Sequence, residues 1–272
     1  MKWLMRLGVL MVLGYVSFAM LTCSLQRSMT YFPEVDTLEN LTPRATATGM
    51  KAWMDSDGKF IGWRSQGGDS GKAVMVLHGN AGNALHRNAL AGRIRAADPK
   101  TSVWILEYPG FGAREGSPSE EALVGAALAG LDAIPGSEMP VVLGESLGTG
   151  VAGVLAGKAS GRISGLILLT PFDSLVSVAA SHYPWLPVGI MMADRYESAQ
   201  ALAGLEIPAV FVVAGEDTVT PTRLGLRLHG GYRGPKELLV IDGAGHNDVV
   251  EALSSEDWRK ILQFVRRLST GG

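Results

Sequence analysis

"VVLGESLGTG", residues Val141 to Gly150, is the stretch whose reading decides the fold. Val141-Val142-Leu143 reads as the end of a buried strand, and the residues from Leu147 onward read as a helix rich in small side chains. Between them, Gly144-Glu145-Ser146-Leu147-Gly148 matches Gly-x-Ser-x-Gly, the pattern of a strained turn that lifts a serine hydroxyl above the end of a strand. Gly144 and Gly148 have no Cβ to clash where such a turn brings strand and helix close. Five residues of this kind are common by themselves. The strand before them and the helix after them give the pattern its meaning.

Outward from this turn the same alternation continues. "AVMVLHGN" (Ala73 to Asn80), "SVWILEYPG" (Ser102 to Gly110), "GLILLTPF" (Gly165 to Phe172), "AVFVVAGED" (Ala209 to Asp217) and "ELLVIDGAGH" (Glu237 to His246) are short apolar runs closed by polar residues or glycine. Buried parallel strands read this way. Helices are predicted at about 83–97, 118–133, 147–158, 221–229 and 255–268. Ser117-Pro118-Ser119-Glu120 offers the second of them a capping serine, Pro at the first helical position and Glu at the third. "TGMKAWMDSDGKFIGWRS" (Thr48 to Ser65) adds a hairpin turning at Asp57-Gly58. The fold class is therefore α/β, with a mostly parallel central sheet flanked by helices. Residues 49–272 form the domain, with a cap at about 172–206, where Pro184 and Pro187 interrupt a stretch too long for a simple crossover.

Ligands of such sheets bind beyond the carboxyl ends of the strands, which focuses attention on the polar residues there. A serine hydroxyl needs a base to become a nucleophile, and the base needs a carboxylate to orient it. Of five histidines, His246 follows the last strand, while His78 and His86 come early, His182 falls in the cap and His229 ends a helix. Asp217 closes the preceding strand and is the expected acid. Glu216, Asp242 and Asp173 are the other carboxylates at or next to strand ends. An oxyanion would be met by the backbone N–H groups of Leu147, directly after the serine, and of Asn80 in "HGNAGN". Phe111, Phe172, Tyr183, Trp185, Leu186, Met191 and Met192 are candidate lining of an acyl pocket.

The N-terminus carries a different signal. Leu7 to Leu25 is a run of 19 residues without a charge, preceded by Lys2 and Arg6, and long enough to cross a bilayer. Residues 1–27 are read as an N-terminal membrane anchor with the catalytic domain outside the cytoplasm. A cleaved signal peptide, with Ser17 and Ala19 before the cut, would instead give a secreted or periplasmic chain, and a lipoprotein modified at Cys23 is a third route. Residues 28–48 are read as a linker. With a net charge of −2 and one cysteine, the chain shows neither the basic field of a nucleic-acid binder nor paired cysteines for zinc. Oligomeric state is not legible.

"LHGNAGN", "EYPGFGAREGSPSEE", "GESLGTG", "AGEDTVTP" and "GAGHND" together resemble the α/β-hydrolase superfamily, and within it the membrane-attached bud-emergence group related to the ABHD proteins. The resemblance runs from about Thr30 to the C-terminus, with the hydrophobic segment and "QRSMTYFP" matching that group's anchor and juncture. It implies a serine hydrolase with Ser146, Asp217 and His246 as triad and Asn80 and Leu147 as oxyanion donors, but no particular substrate. Hydrolysis itself needs no metal or other cofactor, and a small-molecule or lipid-like acyl substrate is the expected partner. An ester or thioester is the expected bond. A peptidase or amidase on the same triad, and a non-catalytic binding module at the membrane, are the alternatives. Glu145 departs from the pattern, since a basic or amide residue precedes the serine in many relatives.

Overall fold

The computed structural model describes residues 2–65, 72–136 and 139–267. Eight strands form the main sheet: β1 (Met50–Met54), β2 (Phe60–Ser65), β3 (Ala73–Leu77), β4 (Ser102–Leu106), β5 (Val141–Glu145), β6 (Gly165–Leu169), β7 (Ala209–Ala214) and β8 (Lys236–Ile241). Their spatial order is β8-β7-β6-β5-β3-β4-β2-β1, and every pair from β8 to β4 is parallel. Only β2 runs against its two neighbours, as the hairpin at Asp57-Gly58 requires. Strands β3, β6 and β7 are buried along their whole length, which is why they read as unbroken apolar runs rather than alternating ones.

Helices cover both faces. Three of them, α4 (Glu120–Ala133), α5 (Leu147–Ala159) and α9 (Thr222–Gly231), pack on one side, where Leu123, Leu155 and Leu224 join Met75, Leu77 and Phe211 in a single core. On the other side α2 (Leu38–Ala47), α3 (Asn88–Ala97) and α11 (Ser255–Arg267) bring Leu41, Ile94, Trp258 and Ile261 against Val76, Ile105 and Val212. The reading of residues 28–48 as a linker is therefore corrected. Phe32-Pro33 pairs in parallel with Ala81-Gly82, Thr37 caps α2 by accepting from the Asn40 N–H, and Leu41 and Ala45 are fully buried. The helix start at Ser117-Pro118 is corrected too. Ser119 is the cap, accepting from Ala122, because the Asp194 carboxylate claims the Glu120 N–H and fixes the first turn there.

Between β6 and β7 lie three short helices, α6 (Leu175–His182), α7 (Val188–Met191) and α8 (Ser198–Leu202), with Pro184 and Pro187 separating the first two. The N-terminal helix α1 (Lys2–Thr30) is long and apolar enough to cross a membrane and buries no residue in the protein. Helix α10 (Val249–Ala252) follows the loop that carries His246.

Candidate active site

Ser146 sits at φ +52°, ψ −118°, a region that a non-glycine residue enters only at a cost of about 1–3 kcal/mol. Two close approaches hold it there. A Cβ at Gly144 would lie 2.4 Å from the Gly148 carbonyl oxygen, and one at Gly148 would lie 1.9 Å from that of Leu77, so only glycine fits at either position. The Ser146 N–H donates to the Leu169 carbonyl at the end of β6, and the hydroxyl faces the loop after β8.

There His246 completes a continuous chain. Its Nε2 lies 2.8 Å from Ser146 Oγ and its Nδ1 lies 2.7 Å from Asp217 Oδ2. Asp217 is further held by the N–H groups of Val219 and Thr220 on Oδ1 and by the Thr220 hydroxyl, 2.9 Å from Oδ2. Burial works against the charge on Asp217, but the bonds from His246 and Thr220 outweigh it and hold the carboxyl below its usual range. The competing carboxylates lie elsewhere. Glu216 and Asp242 are exposed, and Asp173 pairs with Arg227 while accepting from the Ser174 N–H. Thr220 had no sequence signal of its own; its part in this network shows only in the fold.

Leu147 opens α5, where backbone N–H groups have no acceptor within the helix. Asn80 faces it across the site. Its carbonyl accepts from the Phe32 N–H and its side-chain amide donates to the Thr30 carbonyl, so the end of α1 is strapped to this loop. The cation that Glu145 needs is Arg87, whose Nε and Nη2 reach the two carboxylate oxygens at 2.9 and 3.1 Å. That bidentate pair neutralises the one acidic side chain next to the serine. The sequence could not name it, because the partners are 58 residues apart.

A cavity of about 250 Å³ opens beside the serine. Ser146, Leu147, Asn80, Phe172, Tyr183, Leu186, Met191 and Met192 all line it. Two expected lining residues do not. Phe111 is fully buried, its ring packed edge-on against His78 and Tyr108 at 5.3 and 5.8 Å, and so belongs to the core. Trp185 is 55% exposed and turns its ring to Phe18 of α1, 5.6 Å away. The wall they were expected to supply comes instead from α1, through Thr22, Cys23, Gln26, Met29 and Thr30.

The chain is 33% identical to an uncharacterized protein of Mycobacterium tuberculosis (strain CDC 1551 / Oshkosh) over 97% of its own length and 95% of the relative's. It is 28% identical to the alpha/beta hydrolase domain-containing protein WAV2 of Arabidopsis thaliana, covering 72% of this chain and 70% of that one. Among solved structures, the alpha/beta hydrolase GrgF from Penicillium sp. sh18 superposes with a TM-score of 0.63 at 18% identity, covering 81% of this chain and 98% of that one. This chain belongs to the α/β-hydrolase superfamily. Its ABHD-like character shows in the lysophosphatidylserine lipase ABHD12 of Danio rerio, 30% identical over 65% of this chain and 52% of the relative. The chain thus spans about half of that lipase. No protein-family model matches it.

Proposed function

We propose that this α/β-hydrolase cleaves an ester or thioester through an acyl-enzyme on Ser146, and that α1 holds it to a membrane. The observation that carries the reading is the unbroken chain from Ser146 Oγ through His246 to Asp217, at 2.8 and 2.7 Å, next to an apolar cavity. Ser146 Oγ attacks the acyl carbonyl as His246 Nε2 takes its proton, and Asp217 holds the imidazole in the tautomer that presents Nε2 as acceptor. The negative oxygen is met by the N–H groups of Leu147 and Asn80. His246 then returns the proton to the departing alcohol or thiol, and a water, activated by the same imidazole, releases the acid. No step needs a cofactor. The lipase name of the zebrafish relative supports a lipid-like acyl substrate.

The test is labelling of full-length protein by a fluorophosphonate probe, together with hydrolysis of a panel of acyl esters, thioesters and aminoacyl amides. Labelling that Ser146→Ala abolishes, with turnover on esters or thioesters, is the expected result. Turnover confined to aminoacyl amides would make the enzyme an amidase, and labelling that survives in Ser146→Ala would remove the serine from its role.

A further inference from the structure

Helix α1 meets the rest of the chain along one stripe. Thr22, Cys23, Gln26, Met29 and Thr30 recur at the spacing of a single helical face, and all five line the cavity next to Ser146. Bonds to the cap hold that face in place. Gln26 accepts from the Ala193 N–H at 2.7 Å and donates to the Met191 carbonyl, Cys23 Sγ lies 3.5 Å from the same carbonyl, and Arg27 pairs with Asp194. Asp194 in turn accepts from the Tyr31 hydroxyl and the Glu120 N–H. Higher on the helix, Tyr15 donates to the Trp185 carbonyl and Phe18 stacks on the Trp185 ring.

These contacts set the depth of the cap. A bilayer core is about 30 Å thick and a helix rises about 1.5 Å per residue, so the stretch from Lys2 to Gly14, ahead of the first cap contact, covers only about 20 Å. A full span of about 20 residues needs those from Tyr15 to about Leu21 as well, and in that stretch Tyr15 and Phe18 already touch the cap. The cap adds exposed apolar side chains of its own, Ile190 at 89% and Trp185 at 55%. With α1 spanning a bilayer as proposed above, helix and cap would enter the membrane interface together, with the cavity between them.

From this, and resting on the acyl-hydrolase reading above, we infer that α1 is a wall of the substrate site as well as an anchor. The acyl chain of a bilayer lipid enters along the Thr22–Thr30 face and reaches Ser146 without leaving an apolar surface. A cavity of about 250 Å³, slightly below the range of roughly 300–1,000 Å³ usual for small-molecule sites, suits a single chain.

The experiment uses the full chain in phosphatidylcholine vesicles and compares kcat/KM for the palmitoyl and acetyl esters of one alcohol. Thr22→Trp and Met29→Trp are expected to lower the palmitoyl-to-acetyl ratio by about tenfold or more, since each methylene denied burial costs about fourfold. Leu10→Trp, far from the cavity, leaves the ratio unchanged. An unchanged ratio in both cavity-wall variants overturns the inference. A second measurement does not depend on turnover. Ser146→Ala protein is irradiated with an ether-linked monoalkylglycerol carrying a diazirine on its chain, and cross-links are expected on residues 22–30. Cross-links confined to residues 3–21, or none, overturn the inference even where wild-type protein hydrolyses esters. Cross-links on residues 22–30 with no hydrolysis of any ester uphold the lipid site and remove the hydrolase reading.

Discussion

The carboxyl edge of the sheet and the seam between α1 and the cap stand side by side at the same cavity, and they are built on opposite terms. At the sheet edge, position comes from backbone: Gly148 touches the main chain after β3, Ser146 is held in a strained turn, and Asp217 has no slack among its donors. At the seam, α6 buries no residue fully, and α1 meets the cap partly through carbonyls and half-exposed rings. One region places Ser146, His246 and Asp217 through main-chain contacts and a closed set of hydrogen bonds. The other lines the cavity beside them and, in the inference drawn above, selects what reaches them. Chemistry and selection are separable here because different kinds of contact supply them.

The sharpest way to break the comparison is at the sheet edge. Ser146→Ala is expected to lower kcat by roughly 10⁴–10⁶ with the melting curve unchanged, since triad members act as a unit. Asp217→Asn is expected to cost about 10⁴ and Asp242→Asn almost nothing; steady-state kinetics on a short soluble ester decide, and the reverse ranking would move the acid. Next in size is Gly148→Ala. Its methyl group would collide with the Leu77 carbonyl, and a loss of roughly 3 kcal/mol is expected, at the upper end of ordinary overpacking. A melting temperature within a degree or two of wild type would show that the close approach is not needed.

At the seam the expected effects are smaller. Asp194→Ala removes the acceptor of the Glu120 N–H, one partner of the Tyr31 hydroxyl and the pairing with Arg27, and is expected to cost about 2 kcal/mol, read as a drop of several degrees in detergent. The least effect concerns acid. Asp217 titrates below its ordinary range in the fold, so the unfolded chain binds the extra proton. The stability this gives is complete above the unfolded carboxyl's value of about 3.9 and is lost as pH falls through the lower folded value. Urea melts between about pH 5 and 3 should therefore steepen toward acid in wild type and less so in Asp217→Asn; parallel curves would mean that the carboxylate gains nothing from its neighbours.

Legibility followed the same divide. The six parallel strands could be read because burial on both faces demands apolar runs, and the meeting of Ser146, Asp217 and His246 could be anticipated because strand ends are where such a sheet exposes polar groups. Helix α2 was missed because Pro43 and two threonines give the segment the look of a loop, while the burial of Leu41 and Ala45 and the Thr37 cap hold it. Phe111 and Trp185 were misplaced because an aromatic side chain in a sequence does not say which apolar surface it will meet. The wall supplied by α1 was hidden for the same reason: a run of apolar residues reads alike whether lipid or protein faces it. Arg87 needed the fold itself to bring it to Glu145.

Helix α1 is unbroken from Lys2 to Thr30, with Tyr15 and Phe18 on Trp185 and Thr22 onward on the cavity. Each added residue turns everything above it by about 100° and lifts it by about 1.5 Å, so one insertion between Phe18 and Thr22 would swing the upper rings away from their partner, and seven would restore their direction only at a height about 10 Å above it. Ahead of Tyr15 the segment is free to lengthen to suit a thicker bilayer. Beyond it, contacts at both ends fix height and direction together, and relatives that keep them should show neither insertions nor deletions between Tyr15 and Thr30.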